Sequence, residues 1–232
     1  MSDEILRFEL DGRVAVLRFD DGKANAVSHA ALDALQGAMD RAEKEASSVA
    51  LLGRPGRFSA GFDLSVMREG PEAAQGLVGS GAELLLRLLE SPLPVVAGCT
   101  GHALAMGALL LLAADLRIGA EGDFKLGLNE VAIGMTLPLF AVELANERVS
   151  RRHRLRSAGM AEIYDPAGAV DAGYLDHLVA ADALESRTLE EAGRLAEAPA
   201  RAFAGTKERL RGDVAKRIRD GLAADLATFS VG

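Results

Sequence analysis

A single cysteine, Cys99, in a chain of 232 residues rules out an internal disulfide framework and suits a reducing compartment. Basic residues are also in short supply. The net charge of −8 argues against a general affinity for nucleic acid or an anionic membrane surface. No apolar run reaches membrane-spanning length, and the longest, "ALAMGALLLLAA" (103–114), stops at Asp115. The opening "MSDEILRFEL" is acidic and has no basic n-region before an apolar stretch, so no secretion signal is expected and the cytoplasm is the expected location. Familiar chemical motifs are missing as well. There is no phosphate-binding G-x-x-x-x-G-K-[ST], no G-x-S-x-G, no H-E-x-x-H and no Cys-x-x-Cys. Gly76, Gly79 and Gly81 have the wrong spacing for a dinucleotide fingerprint, and no strand precedes them. With four scattered histidines, no metal site is expected.

What the chain does have is apolar mass, 49% of its residues, enough to bury a sizeable core in one large domain or a domain with an appendage. "ILRFEL" and "RVAVLRF" alternate like two strands joined at Asp11-Gly12. Residues 28–45 place Leu32, Leu35 and Met39 on one helical face, with Ser28 as N-cap. "SVALLG" (48–53) reads as a strand inside a sheet. A loosely ordered Gly-rich stretch is expected near residue 70, and "MREGPEAAQG" (67–76) is expected to border a binding pocket. A helix follows over 82–90, which "SPLP" ends before the strand "VVAGCT". "GHALAMGALLLLAAD" then reads as a loop entering a buried helix, and "LRIGA" as a further strand. This alternation predicts an α/β layer architecture with parallel pairing. Beyond residue 182 the pattern is helical only, which divides the chain into a core (1–181) and a C-terminal helical region (182–232).

Three features could carry chemistry. "FSAGFDL" (58–64) and "GHALAMGALLL" (101–111) each leave a strand through small residues and expose backbone N–H groups without intrahelical partners. Converging, they would form an oxyanion hole; apart, they are two ordinary buried turns. The third is Glu130, the one charge between Leu126 and Phe140. Among Val131, Ile133 and Met135 it would lose solvation and accept a proton near neutrality; alternatively, it is a solvated glutamate at a helix start capped through Asn129. His102, Asp115, Asp171 and Asp176 read as structural, Cys99 as a small buried hydrophobe, and Ser59 has no identifiable base beside it.

"KANAV" (23–27), "FSAGFDL", "VVAGCTGHALAMGALLLLAADLRIGA" (95–120), "FKLGLNEVAIGM" (124–135) and "AFAGTKERLR" (202–211) together resemble the crotonase superfamily, the enoyl-CoA hydratase/isomerase family. The resemblance runs from about residue 5 into the C-terminal helices. It implies a crotonase-like spiral of ββα units with a C-terminal helical trimerisation region, a homotrimer or hexamer, and an acyl-CoA thioester as substrate with no metal or redox cofactor. It further implies that the backbone N–H groups of Phe62 and Met106 hold the thioester oxygen. Lys23, Ala24, Ala60, Asp63 and Leu64 would line the coenzyme A, and Leu109 and Met135 the acyl pocket.

Hydratases of the family use two glutamates. Glu130 matches the second, but Leu109 stands where the first is usual. A drier site with one carboxylate resembles the isomerase branch, which moves a 3-enoyl thioester to the 2-enoyl isomer through an enolate. Hydration of 2-enoyl-CoA, and a catalytically silent acyl-CoA-binding protein, are the alternatives.

Overall fold

Two alternating strands, β1 (Leu6–Asp11) and β2 (Val14–Phe19), open the computed structural model, which describes residues 5–229. They pair antiparallel across a turn where Gly12 takes φ +58°, as the Asp11-Gly12 pair predicts. After the short β3 (Ala26–Val27), α1 (His29–Glu45) begins where the Ser28 side chain accepts from the Ala31 N–H. Its Leu32, Leu35 and Met39 are buried, as their spacing requires.

From there the chain winds as a spiral. β4 (Ser48–Leu52) joins a large sheet, β5 (Gly56–Ser59) a small one, and the two-residue β6 (Gly61–Phe62) pairs with β3. Helices α2 (Leu64–Met67) and α3 (Pro71–Glu90) carry the chain back. The pattern repeats with β7 (Val95–Cys99), β8 (Gly101–Leu104) and α4 (Met106–Ala113), then with β9 (Leu116–Ala120) and β10 (Leu126–Gly127). Each pass adds one parallel strand to each sheet. After α5 (Leu139–Arg148) and α6 (Pro166–Ala172), β11 (His177–Val179) completes the large sheet in the order β1-β2-β4-β7-β9-β11, while the small sheet runs β10-β8-β5.

Both faces of the large sheet are covered, which is why its central strands read as continuous apolar runs. Ala15, Leu17, Val49, Leu51, Val95 and Ala97 face the core shared with α1, α3 and α4. The alternate residues Val16, Ala50, Leu52, Val96 and Ile118 meet Leu184 and Ala192 of α7 (Leu184–Ala196). The last helix, α8 (Ala200–Thr228), lies along α3 and α5. Both helices beyond residue 182 therefore pack on the preceding core. Among the described residues, no helix is long and apolar enough to cross a membrane.

Two local expectations need correction. The stretch around residue 70 is a three-residue turn between two helices, because α2 ends at Met67 and α3 starts at Pro71 and not near residue 82. Two glycines of α3 are contact points: a β-carbon on Gly81 would stand 2.4 Å from the Phe62 ring, and one on Gly79 3.1 Å from Leu226. Close packing at those points offsets the helix propensity that glycine lacks. Likewise, residues 101–104 form strand β8 and not a loop, since they pair with both β5 and β10.

Asp115, expected as an anchor, ends α4 in a buried ionic cluster. Its carboxylate accepts from the Val95 N–H at 2.9 Å, from Lys207 Nζ at 2.7 Å and from Arg211 at 3.2 Å. Arg211 also donates to the carbonyls of Leu112 and Ala113. Cations at the negative end of α4 fix this helix to α8, and with it the position of the helix start.

Candidate active site

The first wall is made by the loop after β2. Asp21 accepts from the backbone N–H groups of Lys23, Asn25 and Ala26 at 2.7–2.9 Å. Burial alone would raise its carboxyl, but these bonds and Arg54 hold it below the ordinary value. Asn25, buried and at φ +53°, donates to the carbonyls of Phe19, Arg57 and Phe58. This clamp draws the 23–27 loop onto β5, where the Ala60 N–H donates to the Ala24 carbonyl at 3.1 Å. Asn25 and Asp21 organise this corner, and the "KANAV" motif carries the signal for the first of them.

The turn that follows depends on Gly61. It takes φ +101°, and a β-carbon there would stand 2.9 Å from Ala105 Cβ and 3.6 Å from Met106 N. Beyond it, the Asp63 N–H donates to the Val27 carbonyl at 3.1 Å. Successive amides of an extended chain point to opposite sides, so the Phe62 N–H faces away from β3. The Ser59 hydroxyl donates to the Asn25 carbonyl at 2.7 Å and accepts from the Gly61 N–H. It is a turn clamp.

Met106 is the first residue of α4, and its N–H has no intrahelical acceptor. Ala105 before it takes φ +49°, a conformation that a non-glycine residue adopts at a cost. Gly107 lets the helix approach closely, since a β-carbon there would lie 2.4 Å from the Ser59 carbonyl oxygen. The two junctions singled out in the sequence are thus adjoining turns, with the Phe62 and Met106 amides on neighbouring segments.

Register brings the carboxylate to the same place. β10 pairs with β8 through Gly127 and Leu104, and the Ala105 N–H donates to the Gly127 carbonyl at 3.0 Å. Running parallel, one chain reaches Met106 two residues later and the other reaches Glu130 three residues later. Glu130 opens a 3-10 turn (Val131–Ile133) that Gly134 closes at φ +81°. Its side chain is 6% exposed, and its Oε2 has no hydrogen-bond partner. Burial pushes the carboxyl up to about 7, against the pull of its own and the Asn129 backbone amides. The segment is bracketed by Tyr164, whose N–H and carbonyl both pair with Leu126 at 2.9 Å.

These pieces surround a cavity of about 720 Å³, part of it open to solvent. Phe62, Leu64, Leu109, Met135 and Phe140 line it, with Asn129 and Glu130 as the polar groups. Glu130 is the one titratable side chain among the described lining residues. Of the residues that follow it in sequence, Ile133 and Met135 line the same cavity, as expected, whereas Val131 is 42% exposed and does not.

Ala60 and Leu64 also line the cavity, whereas Lys23 and Ala24 do not. Lys23 is exposed on the adjoining loop, close enough to help lower the carboxyl of Asp63. That carboxylate is engaged at the start of α2, and the Ser65 hydroxyl and amide are the main cause of the lowering. Residues 67–76 do not touch the cavity; Leu64 and Val78, on either side of them, do. His102 accepts from the Lys125 N–H and packs edge-to-face with Phe124, Asp176 pairs with Arg117, and Asp171 with His153; each is structural. Burial raises the Cys99 thiol to about 12, so it behaves as an apolar side chain. Phe229 escaped sequence reasoning, because nothing local ties the end of α8 to a pocket built near residues 60–140.

Comparison with known proteins agrees with this arrangement. The sequence model of the enoyl-CoA hydratase/isomerase family matches residues 9–231. Human mitochondrial enoyl-CoA delta isomerase 1 is 29% identical over 221 residues, covering 93% of this chain and 73% of that protein. A probable enoyl-CoA hydratase of Bacillus subtilis is 32% identical over 191 residues, covering 81% and 72%. The crystal structure of an enoyl-CoA hydratase/isomerase family protein from Pseudomonas syringae superposes with a TM-score of 0.96 at 39% identity, covering 98% of this chain and 99% of that one.

Proposed function

The chain belongs to the enoyl-CoA hydratase/isomerase family, and from that premise we propose that it converts 3-enoyl-CoA to 2-enoyl-CoA. Glu130, as carboxylate, takes a proton from C2 of the thioester. Negative charge then develops on the thioester oxygen, where the Phe62 and Met106 N–H groups donate to it. The protonated Glu130 returns the proton at C4, the double bond moves into conjugation, and nothing is gained or lost. Lys23, Ala24, Ala60, Asp63 and Leu64 lie along the approach that the coenzyme A portion would take.

The observation that carries this proposal is Glu130, buried and with one oxygen unpartnered in a wall that, among the described residues, is otherwise free of titratable groups. A single group with its pKa near neutrality can both take and return a proton at physiological pH. Leu109, 1% exposed, leaves no second carboxylate to hold water, and an apolar wall shields the dienolate from stray protonation. The test is a mass measurement: 3-enoyl-CoA should give a conjugated product of unchanged mass.

Hydration is the second reading, favoured by Asn129. Its buried Oδ1 is unpartnered like Glu130 Oε2, and two such acceptors can hold one water. Rapid gain of one water by 2-enoyl-CoA would establish it in place of isomerisation.

A pH profile follows from the raised carboxyl. The group must be ionised to take the C2 proton, so kcat/KM should fall about tenfold per unit below pH 7 and level off above it. A plateau extending unchanged down to pH 5 would remove Glu130 from the role of base.

A further inference from the structure

Phe229, immediately after α8, enters the wall of the cavity although it is far in sequence from every other lining residue. Its place there is built. One turn earlier, Asp225 Oδ2 accepts from the Leu139 N–H at 2.8 Å. Leu139 is the first residue of α5, and Pro138 before it offers no side-chain cap, so Asp225 supplies the missing acceptor from another helix. On the other side, Gln75 Nε2 of α3 donates to the Phe229 carbonyl at 3.3 Å. Glycines allow the close approach. A β-carbon on Gly79 would stand 3.1 Å from Leu226 Cδ1, and one on Gly221 2.3 Å from Leu139 Cδ2. The end of α8 therefore bridges α3 and α5, the helix that supplies Val78 and the segment that supplies Pro138 and Phe140 to the same cavity.

We propose that Phe229 is the specificity-determining wall of the acyl cavity, setting the longest straight acyl chain accepted, and that Asp225 is the positioning residue that holds it there. This rests on the acyl-CoA assignment above. Among the described residues, the lining around Phe229 carries no polar side chain apart from Asn129 and Glu130, so hydrocarbon is the matching occupant beyond the reacting carbons. A phenyl ring in such a wall excludes several methylenes, and even one methylene in an apolar pocket changes discrimination by roughly tenfold or more.

The test measures binding of saturated butanoyl-, octanoyl- and hexadecanoyl-CoA to the full chain by calorimetry, since saturated thioesters bind without reacting. Phe229→Ala should raise the affinity ratio of hexadecanoyl to butanoyl by about tenfold or more, and Phe229→Leu should shift it less in the same direction. Asp225→Ala should shift the ratio the same way, and Asp225→Asn, which keeps an acceptor oxygen, should restore it. A wild-type ratio in folded Phe229→Ala, or in Phe229→Leu should the alanine chain not fold, overturns the assignment. An unshifted ratio in Asp225→Ala removes Asp225 from it. Wild-type protein that binds these thioesters but converts neither enoyl isomer defeats the isomerase proposal and leaves this one standing. Wild-type protein that binds none defeats both.

Discussion

Glu130→Gln is expected to lower kcat for 3-enoyl-CoA by roughly 10²–10⁴, with KM little changed. Glutamine keeps the shape of the side chain and a carbonyl acceptor in the cavity, but it cannot take the C2 proton. Thioester binding through Phe62, Met106 and the apolar wall remains, so the loss should fall on turnover. A variant that turns over at the wild-type rate would place the base elsewhere.

The same substitution should stabilise the protein, with a sign that pH reveals. In the folded chain the Glu130 carboxyl is raised to about 7, above the 4.5 of an ordinary glutamate. Between those values the folded state holds a proton that the unfolded state releases, so stability falls as pH rises through that window. Below it there is no penalty, and above it the penalty is complete, roughly 3 kcal/mol for a shift of this size. Glutamine does not titrate. Urea unfolding should therefore show Glu130→Gln gaining on the wild type from pH 4.5 to 7 and holding a constant advantage above. A parallel pH dependence of the two proteins would show that the carboxyl carries no burial penalty.

Gly61→Ala has the second large expected effect, a fall in kcat of about 10²–10³. The new β-carbon would meet Ala105 Cβ at 2.9 Å and the Leu104 carbonyl at 3.2 Å, so the turn and the start of α4 must move apart. Those two segments carry the Phe62 and Met106 amides, and a displacement of about 1 Å is enough to lose such a factor. The positive φ adds a stability cost of about 1–3 kcal/mol. Gly12→Ala is the matched control. Gly12 also has positive φ, at +58°, but open space where the β-carbon would go, so it should lose stability alone and keep kcat. Equal losses of kcat in both variants would mean that the Gly61 effect is general destabilisation and not oxyanion geometry.

Legibility in the sequence followed how local each cause was. The β1–β2 hairpin, α1 with its Ser28 cap and the buried central strands were readable because periodicity and capping lie within a few residues. Helix α3 was misjudged at its start because Gly76, Gly79 and Gly81 lower local helix propensity. The compensating contacts, Leu226 at Gly79 and Phe62 at Gly81, come from elsewhere in the chain. Glu130 could be singled out as a lone charge in an apolar stretch, yet only part of its surroundings is local, since Ile133 and Met135 line its cavity together with Phe62, Leu109 and Phe229 from distant segments.

By itself the sequence determined most of the element types, the two small-residue junctions and the presence of one candidate base without a second carboxylate at Leu109. Those depend on side-chain chemistry and short-range backbone preference. Only the tertiary structure decided that the junctions adjoin, that Glu130 is buried against the same cavity, and that Asp225 and Phe229 close it from the far end of the chain. The parallel register of β8 and β10 and the packing of α8 on α3 and α5 bring them together, and such long-range pairing leaves no signature within any one segment.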